Sequence, residues 1–227
     1  MTTIVGIQAQ QGKKGVILAS DLSATRTTWK PQGDIVYREQ TRQDAQKIYV
    51  DDSGTFAICM AGVADLDYFD FLMAFRKEQF NLEKVLAEGK FPELAEMNLS
   101  RWGGRIPDTS NINGCLIATN LKKKPKLYTC WPLGRVEERY WTSIGSGSEY
   151  ALDELRKKAD EIPAFVSSKK GVDLALRCLD KASKDIYTGG IDIVVVTPTE
   201  IKEFGNVIKK NLERAKKQFT REIKAEL

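Results

Sequence analysis

Strand-like and helix-like runs fall in separate blocks along this chain, and that order limits its fold more than any other feature. Residues 4–8 and 15–20 are short apolar runs separated by a polar, glycine-containing stretch, and they read as two strands of a hairpin. Residues 26–44 are polar, with Trp29, Pro31 and Gly33, and read as a long loop or irregular hairpin. Residues 47–50 and 55–60 form a second strand pair around the turn residues 51–54. Helical spacing follows: Leu66, Phe69, Leu72, Met73 and Phe80 mark one face over 65–80, with short helices near Asn81 and over 92–99. Three more strands, at 114–119, 126–131 and 139–142, precede helices at 149–162 and 172–186 and a buried strand at 191–196. From Ile201, the residues Phe204, Ile208, Leu212, Ala215, Phe219 and Ile223 recur at steps of three and four, predicting an amphipathic helix with a basic outer face. Strands grouped with strands and helices with helices predict a layered α+β sandwich rather than alternating βαβ units.

The chain has 227 residues, 42% hydrophobic and 29% charged, enough for one substantial domain. We read residues 1–200 as that domain and 201–227 as a basic helical extension packed on it or on its assembly. The extension carries eight Lys/Arg and four Glu, which accounts for the net charge of +4. No aromatic–basic interleaving accompanies it, so nucleic acid is not the expected partner. No apolar run reaches membrane-spanning length, and the first residues lack the basic lead and apolar core of a signal peptide, which predicts a cytoplasmic protein. Cys59, Cys115, Cys130 and Cys178 are widely spaced without a CxxC pair, so they read as small buried hydrophobes rather than as a zinc or redox site. No metal or cofactor is expected.

Histidine is absent. That removes Ser-His-Asp and Cys-His catalysis and histidine-based zinc chemistry together. A hydrolase built on this chain needs another base near neutral pH: a depressed lysine, a raised carboxylate or the chain's own amine. If Met1 is removed, Thr2 carries a hydroxyl and a free α-amine on one residue. Such an amine titrates near pH 8 and can activate the adjacent hydroxyl.

Several fragments together carry a resemblance. They are Thr2-Thr3-Ile4-Val5-Gly6; Ala19-Ser20-Asp21 with Ala24-Thr25; Lys47-Ile48-Tyr49; Ala61-Gly62; Gly145-Ser146-Gly147-Ser148; and Asp185 with Thr188-Gly189-Gly190-Ile191-Asp192. Taken singly, each has an ordinary structural role: Asp21 as a turn cap, Lys47 as a solvated strand residue, 145–148 as a helix start. In this order the chain resembles proteasome β subunits and their bacterial relative, the HslV peptidase. The resemblance implies a four-layer αββα sandwich of the N-terminal-nucleophile hydrolase type. It implies Thr2 as nucleophile, Lys47 beside it, Asp21 paired with that lysine and Gly62 as the oxyanion-hole backbone donor. It also implies Ser146 and Asp185 around the terminal amine, with Thr188 standing where the family usually has serine. Thr25, Ala45 and Met60 correspond to positions that shape the substrate pocket, Met60 as an apolar floor.

The expected activity is therefore threonine-type peptide-bond cleavage of peptides or unfolded proteins. A homo-oligomer, with a ring as one form, and an ATPase or regulatory partner are expected with it. Two departures stand out. The segment between Thr25 and Lys47 is longer than the resemblance predicts, and residues 102–107 fit it poorly. As in the HslV-like members, no propeptide is expected before Thr2, so exposure of Thr2 is expected to need only methionine removal. Two other readings use the same residues: a transpeptidase or ligase working through the same acyl-enzyme, and a non-catalytic scaffold of the same fold.

Overall fold

A computed structural model describes residues 2–12, 14–32, 35–44, 46–62, 66–101, 114–159, 167–182 and 191–204, with residues 23–44 described as backbone. The N-terminal strand β1 (Thr3–Ala9) is buried at every position. A strand covered on both faces has no polar side to show, so it reads as a continuous apolar run rather than an alternation. Val5, Ile7 and Ala9 face one core cluster. Ile4 faces another. β1 lies inside a five-stranded antiparallel sheet of order β10-β1-β2-β11-β12, with β2 (Gly15–Ser20), β10 (Trp141–Gly145), β11 (Asp192–Val196) and β12 (Ile201–Glu203). A second antiparallel sheet runs β5-β6-β7-β8-β9, from β5 (Ile48–Val50), β6 (Phe56–Ala61), β7 (Gly114–Thr119), β8 (Lys126–Cys130) and β9 (Val136–Arg139).

The two sheets face each other. Ile4, Val16, Leu18, Val194 and Val196 of the first meet Ala57, Cys59, Leu116, Ala118 and Leu127 of the second. The period of two in β6 sorts its residues by size: Phe56, Ile58 and Met60 turn outward, while Ala57, Cys59 and Ala61 turn toward the other sheet. Helices α1 (Leu66–Arg76), α2 (Leu82–Glu88) and α3 (Pro92–Arg101) cover the outer face of the second sheet, where Phe71, Phe75, Phe91 and Leu94 pack. Helices α4 (Ser148–Arg156) and α5 (Ser168–Ala182) cover the first, burying Ala151, Leu155, Val172, Ala175 and Leu179 against Val5, Ile17 and Val195. The result is the four-layer α+β sandwich that the resemblance implies. All four cysteines are free and buried, as expected of small hydrophobes.

Two readings change and one is decided. Of the two alternatives for residues 26–44, the hairpin holds and the loop does not. β3 (Ser23–Gln32) and β4 (Ile35–Asp44) pair in unbroken antiparallel register from Ser23↔Asp44 to Gln32↔Ile35 as a separate two-stranded sheet. Their threonines, Ile35, Val36 and Tyr37 suit a strand, and their polarity hid that. The single strand read at 139–142 is two, β9 and β10, and the chain passes from one sheet to the other between them. Finally, Ile201 does not start a helix. Ile201–Glu203 form β12 against Val194–Val196, and Phe204 closes the core on the helix side. Strand pairing there overrides the helical spacing. The remainder of the expected helix lies outside the described residues, as do residues 183–186 of the helix read at 172–186 and residues 102–107.

Asp192 sits opposite Ser20 on the inter-sheet side of β11 and is 5% exposed. Burial, reinforced by the charge of Glu203, raises its carboxyl to about 6. Below pH 4 the group is protonated both folded and unfolded. Between about 4 and 6 only the folded form keeps the proton, so stability falls as pH rises through that window. Above it the folded chain carries a constant cost of roughly 3 kcal/mol. Replacing Asp192 with Asn is expected to stabilise the protein more at pH 7.5 than at pH 4, by urea denaturation. An equal effect at both pH values would contradict this.

Candidate active site

The hairpin of β1 and β2 brings Asp21, the residue just past β2, back beside Thr3. The Asp21 N–H donates to the Thr3 carbonyl at 3.1 Å. The Thr3 N–H in turn donates to Asp21 Oδ1 at 2.5 Å. The second carboxylate oxygen accepts from Lys47 Nζ at 2.8 Å. Lys47 stands just before β5, on the opposite sheet. One carboxylate thus ties the backbone at the chain start to a lysine across the sandwich. Asp21 is fully buried and Lys47 is 4% exposed. Burial lowers the Lys47 pKa, and the charge and hydrogen bond of Asp21 work against that shift. A buried ion pair of this kind depends on both members, since removing one leaves the other charged and uncompensated.

Thr2, itself 8% exposed, opens onto a cavity of about 600 Å³ at the end of the sandwich, between the two sheets. Gly62 and Ser146 line the same cavity. Gly62 follows Ala61 on the inner face of β6, with φ of 137°. Gly145 ends β10 opposite Thr3, with φ of 102°. A Cβ there would lie 1.7 Å from the Thr2 carbonyl oxygen, so only glycine lets the backbone of Thr2 sit where it does. The Ser143 hydroxyl donates to the Ile4 carbonyl at 2.7 Å and adds a side-chain tie to the β1–β10 pairing.

Of the residues singled out in the sequence, Thr2, Gly62 and Ser146 meet around this cavity, and Asp21 and Lys47 meet behind it through Thr3. Met60 faces the helix layer with Tyr68 and Leu72, on the other side of its strand from the cavity. Thr25 lies in β3 opposite Arg42. Ala45, Asp185 and Thr188 lie outside the described residues, as does Met1. Sequence reasoning passed over Gly145, Ser143 and Thr129. The first was legible as the leading glycine of 145–148. Thr129 had no local signal, because only the β7–β8 register turns it into the cavity. No group of metal-binding side chains occurs among the described residues.

Chemically, the cavity pairs a hydroxyl-bearing residue with a glycine backbone on one rim and a buried, fixed cation behind. That set can attack a carbonyl and stabilise the charge that develops. Comparison with known proteins agrees with the layered fold. Residues 2–196 match the family described as "Proteasome subunit". The chain belongs to the proteasome subunit family. It is 28% identical over 214 residues to proteasome subunit beta 1 of Thermococcus gammatolerans, covering 92% of this chain and 95% of that protein. It is 28% identical over 208 residues to proteasome subunit beta 2 of Pyrococcus furiosus, covering 89% and 90%. Proteasome subunit beta 1 of Thermococcus kodakarensis is 30% identical over 224 residues, covering 93% and 96%. Among the described residues of this family member, no helix is long and apolar enough to cross a membrane.

Exchanging Asp21 for Asn keeps an acceptor for the Thr3 N–H but removes the charge facing Lys47. We expect a loss of about 3–5 kcal/mol in urea denaturation. Adding Lys47→Met should recover much of that loss, since no unpaired ammonium is then buried. A double variant no more stable than the single one would mean that charge pairing is not the source of the cost.

Proposed function

We propose that this proteasome-family chain is a threonine peptidase whose nucleophile is Thr2, freed by removal of Met1. The observation that carries the reading is the Asp21 carboxylate, bound at once to the Thr3 N–H and to the Lys47 ammonium beside a cavity that Thr2 lines. With Thr2 at the terminus, its α-amine takes the proton from its own Oγ as Oγ bonds to the substrate carbonyl carbon. The Gly62 N–H stabilises the oxyanion, an effect worth about 2.7–4 kcal/mol in acyl transfer. Collapse of this intermediate breaks the C–N bond, and the amine's proton passes to the departing amino group. Water then attacks the Thr2 ester, giving its hydroxyl to the acyl carbon and a proton back to Thr2 Oγ.

The positive charge of Lys47 near the amine disfavours protonation of that amine, so the base stays free near neutral pH. Asp21 keeps Lys47 charged in spite of burial. Ser146, Asp185 and Thr188 are assigned to the hydrogen bonds around the terminal amine, on the strength of their match to the family pattern. Thr25 and Ala45 are assigned to the pocket for the side chain before the cut on the same ground, whereas Met60, packed under the helix layer, is not part of it. The substrates are peptides or unfolded proteins. The chain acts in the cytoplasm as one subunit of a homo-oligomer, fed by an ATPase or regulatory partner.

Thr2→Ala is expected to reduce peptide cleavage to background while leaving circular dichroism and thermal unfolding unchanged. Thr2→Ser, which keeps a hydroxyl and an amine on one residue, should retain measurable turnover. Wild-type cleavage rates in the Thr2→Ala protein would overturn the assignment.

A further inference from the structure

Part of the lining of the cavity that Thr2 shares has no role in the proposed reaction. Its inner wall is Thr129, which is 1% exposed and whose hydroxyl has no hydrogen-bond partner among the described residues. Thr129 pairs with Leu116 across the β7–β8 ladder and lies two residues from Leu127 on the same strand face. Both leucines pack in the layer between the sheets, so the Thr129 side chain points into that layer at the cavity end. Its hydroxyl carries almost no accessible surface, so Thr129 closes the inner end of the pocket.

Ile144, Leu152 and Trp131 supply apolar walls. Glu149, in the first turn of α4, is the one charged residue among the described lining residues. Arg156 lies 3.9 Å from it but stands closer to Asp153, at 2.9 Å, so the Glu149 charge is not consumed by that contact.

We propose that this pocket is a specificity subsite for a lysine or arginine side chain flanking the bond to be cut. The aliphatic stem lies along Ile144, Leu152 and Trp131, and the cation meets Glu149 at the rim. Long basic side chains combine such a stem with a charged head. The Glu149 side chain is 77% exposed, so its contribution is modest and screened by salt. The inference rests on the peptidase reading for its substrate class.

The test uses the full chain carrying Thr2→Ala, with fluorescein-labelled peptides in which one lysine or one glutamate walks along a neutral sequence. At one position the lysine peptide should bind about three- to tenfold more tightly than its glutamate counterpart at low salt. The gap should shrink at high salt and vanish in Glu149→Gln. Leu152→Ala, which shortens the apolar wall along the stem, should weaken the lysine peptide more than the glutamate one and so narrow the gap. No discriminating position, or discrimination that survives Glu149→Gln, would overturn the subsite. In parallel, the native chain is treated with a threonine-directed electrophile. Failure of that labelling with the binding pattern intact removes the peptidase reading and keeps the pocket; labelling without charge discrimination removes the pocket alone.

Discussion

A single aspartate does three jobs at the edge of this sandwich. Asp21 accepts the Thr3 N–H, holds the Lys47 ammonium and hands its own N–H to the Thr3 carbonyl. The contact with Lys47 crosses from one sheet to the other, and the two with Thr3 hold the open end of the β1–β2 hairpin. Because both charged partners are buried, neither can be replaced by water without a large cost. The start of the chain, where fraying is the ordinary expectation, is therefore fixed by an ion pair and by strands on both sides. Any chemistry assigned to Thr2 depends on that fixation, since a reacting group misplaced by an ångström loses most of its advantage.

The cavity follows from how the sheets are filled. Large side chains of β6 face the helices and small ones face the opposite sheet, which lets the layers pack closely through their middle. At the chain-start end that packing stops at Ala61 and Gly62 on one sheet and at Gly145 on the other. Glycines there let the backbone of Thr2 lie against β10 instead of a side chain. The space left over is the cavity. The crossover from β9 to β10 is what brings Ser143 to Ser148 beside β1, so the same turn that joins the sheets also supplies one wall of the site.

Much of this was legible in the sequence, and for stated reasons. The buried strands read correctly because apolar continuity marks a strand covered on both faces, and the pairing of Asp21 with Lys47 was implied by resemblance before any geometry was known. What the sequence concealed was long-range. The segment of β3 and β4 is polar on the page, which left a loop and a hairpin equally open, and its strand pairing shows only in the backbone register. Ile201 and Phe204 fit a helical period yet belong to a strand and its exit, since an open edge at β11 offers hydrogen bonds that local spacing cannot reveal. Thr129 looks like any strand threonine until the β7–β8 ladder turns it toward the cavity. Gly145 was visible as a glycine, but its reason, the Thr2 carbonyl against it, exists only in three dimensions.

The central claim is that the residue at position 2 is both the chain terminus and the attacking group. Intact mass spectrometry of the purified protein, before and after a threonine-directed electrophile, measures both at once. The expected result is a mass lacking the initiator methionine and a single adduct that peptide mapping locates on Thr2. Retained methionine in a preparation that still cleaves peptides, or an adduct on Lys47 with Thr2 untouched, would contradict it.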